Sequence, residues 1–492
     1  AFNWSAIEPT TDLRYQPCFH DFRCARLKVP LDWQNSNSTK SVAVAIVSLP
    51  AVVPESDPSF GGTIISNPGG PGDSGVVLML EEGKQLQKFL DNNKHYEILS
   101  FDPRGVNNTT PPVDCFGDTE ARLAFQFEER GMGAFKVVNT ADGLAGLARQ
   151  QALRNIHGAV CESREQVEPI SAYVSTASVA RDMLEIVDQV DKLRRSTLNT
   201  TKSCNGTSVP RLQYYGLSYG THLGNTFASM FPGRVGRMIL DGVVDSDDYV
   251  QVSLPRVNLL DFDKIVDVFY DTCHNQTDCP LKQDGDSSGG DIRKRVDAHI
   301  ASLDLEPAPL LAMVLAAALQ GQYAAVAEFL LPDGHSPDNS ESGLHILCAD
   351  SANATGYNLT FWSDYIKDIE DQSPLFGPAW ANYKFTCSGW RITPNFQYTG
   401  PFGTPPPKTG KPDPKAPSAP LLFFSNRLDP VTPLRNALRM SSLHPNSSVV
   451  IQESAGHCAF QAAYSSCTTK IARDYFEFGT VPANGTTCDT GC

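Results

Sequence analysis

The chain has 492 residues, of which 41% are hydrophobic and 19% charged, and its formal net charge is −15 at pH 7. That is ample apolar material for a large core, and the length suits one large catalytic domain carrying an insertion. The acidic balance argues against nucleic acid as a partner, because phosphate binding needs a basic surface.

Read from the N-terminus, short runs rich in branched apolar residues at 25–29, 42–48, 63–66 and 98–101 predict strands. An amphipathic helical pattern at 174–190 precedes a buried strand at 212–215, and residues 221–231 carry small and apolar side chains at helical spacing. Further strands are expected at 237–242, 421–425 and 449–451. Strands alternating with helices predict an α/β fold with a mostly parallel sheet flanked by helices. Between Asp245 and about Thr399 the pattern turns to helices and cysteine-bearing loops, as expected of an inserted, mainly helical cap. The expected division is an N-terminal core part at 1–245, a cap at 246–400 and a C-terminal core part at 401–492. Seven prolines at 404–420 predict an extended linker, and the polar, glycine-rich 284–291 a loop.

Residues 307–327 are uncharged, but Gln320, Gly321 and Gln322 interrupt them, so two shorter buried helices are expected there and no membrane span. Thirteen cysteines and eleven Asn-x-Ser/Thr sequons, starting at Asn3, Asn37, Asn107, Asn108, Asn199, Asn205, Asn275, Asn353, Asn358, Asn446 and Asn484, point to the secretory pathway and to N-linked glycans. The start at Ala1, without an apolar leader, reads as a mature secreted chain whose signal peptide has been removed. Local pairing predicts disulfides Cys18–Cys24, Cys115–Cys161, Cys273–Cys279, Cys348–Cys387, Cys458–Cys467 and Cys488–Cys492, with Cys204 left over. No Cys-x-x-Cys pair occurs, and neither a metal nor a cofactor is expected.

The chemistry-bearing motif is Gly216-Leu217-Ser218-Tyr219-Gly220, set between the strand at 212–215 and the helix at 221–231. Gly-x-Ser-x-Gly in that setting is the nucleophile elbow of α/β hydrolases: the tight turn lifts the serine hydroxyl above the sheet. A serine hydroxyl needs an oriented base, and the chain order in this fold is Ser, acid, His. Asp429 follows the strand at 421–425, and His457 follows the strand at 449–451, twenty-eight residues later. Asp241 and Asp245 are the alternative acids, and His222, on the elbow helix, is expected to pack rather than react. An acyl-transfer oxyanion needs waiting N–H groups. Tyr219, next after the serine, offers one. The loop Asn67-Pro68-Gly69-Gly70-Pro71-Gly72-Asp73-Ser74-Gly75 offers the other, at Gly70 or else Gly69. The same loop matches a dinucleotide fingerprint, with Asp102 as the ribose acid, but Pro71 removes an amide that a pyrophosphate would want.

Ser66-Asn67-Pro68-Gly69-Gly70-Pro71-Gly72, Phe101-Asp102-Pro103-Arg104-Gly105, the elbow and Gly456-His457 together resemble prolyl and tripeptidyl aminopeptidases, a serine exopeptidase branch of the α/β hydrolases. The region from about residue 385 resembles the TAP-like C-terminal segment of that branch. Prolyl iminopeptidases carry a His before the Gly-Gly-Pro-Gly run; Pro68 stands there in this chain, which favours the tripeptidyl type. The resemblance implies cleavage from a free N-terminus, with cap carboxylates holding the substrate ammonium; Asp261, Asp263, Glu328, Asp350 and Glu370 are candidates. Asp102 and Arg104 are expected to form a structural ion pair. The rival readings are an esterase or lactonase acting on a small apolar metabolite, and a non-catalytic hydrolase-like binding protein.

Overall fold

The computed structural model describes residues 2–35, 37–118, 120–125, 140–141, 143–198, 209–251, 257–302, 339–407 and 413–491. Among them, ten strands form a single sheet in the order β1-β2-β3-β5-β4-β6-β7-β8-β9-β10. They are β1 (Gln16–Cys18), β2 (Phe22–Pro30), β3 (Ser41–Leu49), β4 (Phe60–Asn67), β5 (His95–Phe101), β6 (Leu212–Leu217), β7 (Val235–Asp241), β8 (Leu422–Leu428), β9 (Ser448–Ala455) and β10 (Thr486–Cys488). Pairings from β5 through β10 are parallel; β1, β2 and β3 join antiparallel at the other edge.

Among the described residues the longer helices are α1 (Gly75–Leu90), α2 (Gly143–Glu165), α3 (Thr176–Thr197), α4 (Tyr219–Met230), α5 (Phe262–Asn275), α6 (Gly289–Ser302), α7 (Asn339–Asp350), α8 (Leu359–Gln372), α9 (Gly377–Phe385), α10 (Leu434–Ser441) and α11 (Ser466–Phe478). Adjacent residues of one strand enter opposite cores, as the two-residue period requires. Ile65, Leu99, Tyr214 and Phe423 face the core that includes α3 and α4, whereas Ile64, Ile98, Tyr215 and Phe424 face α1 and α11. A parallel sheet needs that cover on both faces. Helices α5 to α9 lie between β7 and β8 in the chain.

Each strand expected from the sequence is present, usually longer by a few residues. The short edge strands β1 and β10 were not expected; three residues carry too little pattern to register. The disulfides need one correction. Cys18–Cys24, Cys115–Cys161, Cys273–Cys279 and Cys348–Cys387 form as expected. Near the C-terminus, however, Cys467 bonds Cys488, and Cys458 is a free, buried thiol. The reason is tertiary: β10 pairs alongside β9 and brings Cys488 to α11, with the two Cα atoms 5.4 Å apart. Cys204 and Cys492 lie outside the described residues, as do the apolar run at 307–327 and Glu328. No described helix is long and apolar enough to cross a membrane.

Candidate active site

Ser218 stands at the junction of β6 and α4 with φ 54° and ψ −125°, a strained conformation for a residue with a side chain. Its neighbours allow it by lacking side chains. A Cβ on Gly216 would fall 2.5 Å from the carbonyl oxygen of Gly220, and one on Gly220 would fall 2.6 Å from that of Asn67. The turn is held in register by Ser218 N–H donating to the Asp241 carbonyl at 2.9 Å.

The glycine loop after β4 lies directly on this turn. At Gly69, φ +111°, a Cβ would meet Ser218 Cβ at 2.8 Å and Tyr219 N at 3.0 Å. Gly69 N–H is donated to Asn67 Oδ1 at 3.2 Å, which leaves Gly70 as the next amide of the loop. Beyond it, Ser74 caps α1, and Asp102 accepts from Ser74 Oγ at 2.5 Å and from Val76 N–H at 3.1 Å. A carboxylate of the chain's own thus takes amide and hydroxyl donors at the helix start, the place a dinucleotide phosphate would occupy. Asp102 does not pair with Arg104. Arg104 instead reaches the buried Asp182 on α3, donating from Nη2 to Oδ1 at 2.7 Å and from Nε to Oδ2. The side chain of Arg104 turns toward α3, while the α1 start has already claimed Asp102.

Across the sheet, His457 Nδ1 lies 3.0 and 3.1 Å from the two oxygens of Asp429. Asp429 is fully buried, and its remaining lone pairs accept from Val431 N–H (3.0 Å), Thr432 N–H (2.8 Å) and Cys458 N–H (3.1 Å). The Asp-Pro-Val-Thr stretch is therefore an Asx-type turn folded around the carboxylate. The side chain of Thr432 also approaches His457 Nδ1, at 3.1 Å. Burial works against the charged imidazole, but the Asp429 carboxylate outweighs it and holds His457 well above its ordinary range. The adjacent Cys458 thiol is pushed up to about 11 by burial and stays neutral. The ring leans over the end of β7, where a Cβ on Gly242 would lie 3.3 Å from His457 Cε1.

The alternative acids have other work. Asp241, buried at the end of β7, accepts from Ala459 N–H (2.6 Å), Phe460 N–H (2.9 Å) and Tyr215 Oη (2.9 Å), and so fastens the loop that carries His457. Asp245 caps a helical turn at Ser246–Tyr249. His222 is buried, sits 3.0 Å from Ser246 Oγ, and burial depresses its imidazole to about 3. Sequence reading missed Thr432 and the fastening role of Asp241; only the Asp-Pro-Val-Thr turn signal hinted at the first.

The four expected cap acids among the described residues all have partners within the chain. Asp261 pairs with Lys264 at 2.7 Å and Asp263 with Arg293 at 3.2 Å. Glu370 accepts from Thr140 N–H at 2.8 Å. Asp350 accepts from Thr176 N–H and Oγ1 at 2.7 and 2.6 Å, and burial raises it to about 7. Among the described residues, Cys115, Cys161, Glu341 and His345 have the spacing of a metal site, but the two sulfurs are joined in a disulfide and offer no thiolate.

The alpha/beta hydrolase fold family matches residues 62–284, and the family described as TAP-like protein matches residues 373–488. The chain is 27% identical over 285 residues to the serine protease Hip1 of Mycobacterium tuberculosis, covering 57% of this chain and 46% of that protein, so the match spans about half of that relative's length. It is 24% identical over 509 residues to the tripeptidyl aminopeptidase of Streptomyces lividans, covering 95% of this chain and 83% of that protein. Carboxylesterase B of M. tuberculosis is 26% identical over 264 residues, covering 53% of this chain and 44% of that protein. The fold, the elbow and these matches agree: the chain has the alpha/beta hydrolase fold, and its C-terminal segment is similar to the TAP-like family.

Proposed function

We propose that this chain is a secreted, N-glycosylated serine aminopeptidase that releases short N-terminal peptides or single residues through an acyl-enzyme. The carrying observation is the strained Ser218 elbow beside a His457–Asp429 pair hung over the neighbouring strand end. In this reading Ser218 Oγ attacks the scissile carbonyl while His457 Nε2 takes its proton. Asp429 fixes Nδ1–H and supports the imidazolium, and the Tyr219 and Gly70 amides receive the oxyanion. Collapse returns the proton from His457 to the leaving amine, and water then frees the acyl group by the same route. Residues 246–400 serve as the cap, and the five disulfides among the described residues fit an oxidising compartment. The length of the match to the tripeptidyl aminopeptidase supports peptide over ester.

A second reading, an esterase, draws on the similarity to carboxylesterase B, since one triad serves both bonds. Peptide anilides with free and with acetylated N-termini, run beside short acyl esters, separate the two. The aminopeptidase reading expects turnover of the free-amine anilides and little of the acetylated ones; indifference to acetylation would overturn it. Fluorophosphonate labelling should vanish in Ser218→Ala, and labelling that persists would put the nucleophile elsewhere.

A further inference from the structure

Helix α7, which lies between β7 and β8 in the chain, reaches both segments that carry the proposed oxyanion donors. Toward the glycine loop the backbones meet directly: a Cβ on Gly343 would stand 2.5 Å from the Pro71 carbonyl oxygen. The adjacent Ser342 donates from Oγ to the Gly105 carbonyl at 2.9 Å, which ties the helix to the loop after β5. Toward the elbow the approach runs through side chains, and it starts at Asp350, the last residue of α7.

Asp350, Thr176 and Tyr219 are all buried. Asp350 Oδ1 accepts the Thr176 N–H at 2.7 Å, one of the donors left open in the first turn of α3. Asp350 Oδ2 accepts from Thr176 Oγ1 at 2.6 Å. A hydroxyl has one hydrogen, so Thr176 meets the Tyr219 phenol, its other neighbour, as an acceptor. The order of donation is therefore Tyr219 Oη to Thr176 Oγ1 to Asp350 Oδ2. A buried cation backs the carboxylate. Lys384 on α9 donates to Ser351 Oγ, next along the chain from Asp350, and to the Tyr249 carbonyl at 3.0 Å.

The phenol at the head of this chain belongs to the residue whose backbone N–H follows the nucleophile, at the first position of α4. Gly69 presses on that nitrogen, since its Cβ would come within 3.0 Å. Thr176 ties the far end of the ring. Tyr219 is thus held at its amide by the glycine loop and at its hydroxyl by α3 and α7. An oxyanion donor must be aimed before the charge forms, and a small displacement costs rate rather than affinity. We propose that Asp350 and Thr176 are positioning residues for the Tyr219 amide, through which helix α7 sets the oxyanion geometry. The inference rests on the acyl-enzyme part of the proposed function and holds for a peptide or an ester substrate alike.

The test measures kcat and KM of the full chain on free-amine peptide anilides and short acyl esters, with active sites counted by complete fluorophosphonate labelling. Thr176→Val and Tyr219→Phe are each expected to lower kcat roughly tenfold, with KM within about twofold of wild type. Thr176→Ser restores the hydroxyl and should return most of the rate. The double variant Thr176→Val/Tyr219→Phe should lose no more than the worse single one, because both changes cut one hydrogen-bonded chain. Asp350→Asn turns a donor toward Thr176 Oγ1 and strands the phenol hydrogen, so a similar loss of kcat is expected; an unchanged kcat would overturn the role of Asp350. Losses that multiply in the double variant, or a loss confined to KM, would overturn the whole chain. So would wild-type kcat in Tyr219→Phe, a variant that removes a hydroxyl and keeps the amide. Turnover of esters alone would sink the aminopeptidase reading, and the chain would then stand or fall on the ester rates. Labelling that persists in Ser218→Ala would overturn both.

Discussion

The two halves of the site are built by different physics. The half around Ser218 is backbone sterics: Gly216, Gly220 and Gly69 sit where carbonyls, a Cβ and an amide come too close for any side chain. The half around His457 is side-chain hydrogen bonding: Asp429 holds the ring, and Asp241, from a different strand, holds the loop behind it. The first fails when an atom is added, the second when a charge or an acceptor is removed. Motifs of the first kind are contiguous in sequence; those of the second are assembled from strands far apart in the chain.

Removing the Asp429 charge should break the hydrogen-bonded half most severely. Asp429→Asn is expected to lower kcat by about 10⁴-fold with KM little changed, because the imidazole loses its support and its tautomer. The same variant sharpens the pH argument. In the wild type Asp429 lifts His457, so kcat/KM should fall as pH drops through a value above the ordinary ~6.5. Without that charge burial dominates, and the acid limb should move to lower pH; a limb that stays put would mean Asp429 is not the group acting on His457. Stability runs the opposite way: a folded-state value raised above the unfolded one makes the His457–Asp429 contribution complete below about pH 6.5 and lost as pH rises through the raised value. Thermal melts of the wild type and Asp429→Asn across that window check the sign.

Gly220→Ala tests the steric half. Its Cβ would sit 2.6 Å from the Asn67 carbonyl oxygen, so the oxyanion loop or the elbow must shift. A loss of about 10²-fold in kcat is expected, the scale of one misplaced oxyanion donor. Steady-state kinetics on the purified variant measure it, and wild-type rates would mean the loop does not supply the donor. Asp241→Asn should cost less. It turns a donor toward amide N–H groups of the His457 loop, for about 1–3 kcal/mol of stability and roughly tenfold in kcat. Replacing Cys467 and Cys488 together by serine should change activity least. Their disulfide closes the far edge of the sheet, so a Tm drop corresponding to about 2–4 kcal/mol is expected with kcat within about twofold of wild type.

The elbow was legible because its steric rule is written in five consecutive residues, and the strands because a two-residue apolar period survives in a buried sheet. The expected Asp429 and His457 positions rested on chain order and on their place after the two late strands. Arg104 shows where that reading stops: the nearest acid along the chain was expected as its partner, and the fold supplied Asp182 from a helix seventy-eight residues away instead. The cysteines teach the same thing, since neighbours in sequence paired correctly until an edge strand, too short to read, brought Cys488 to Cys467.

By itself, the sequence determined where the chain turns sharply and which faces are apolar, because those depend on local sterics and periodicity. The tertiary structure decided which acid holds the histidine loop and which partners the described cap carboxylates take within the chain. Hydrogen bonds and ion pairs between distant segments have no signature in local spacing; they exist only once the sheet has set those segments side by side.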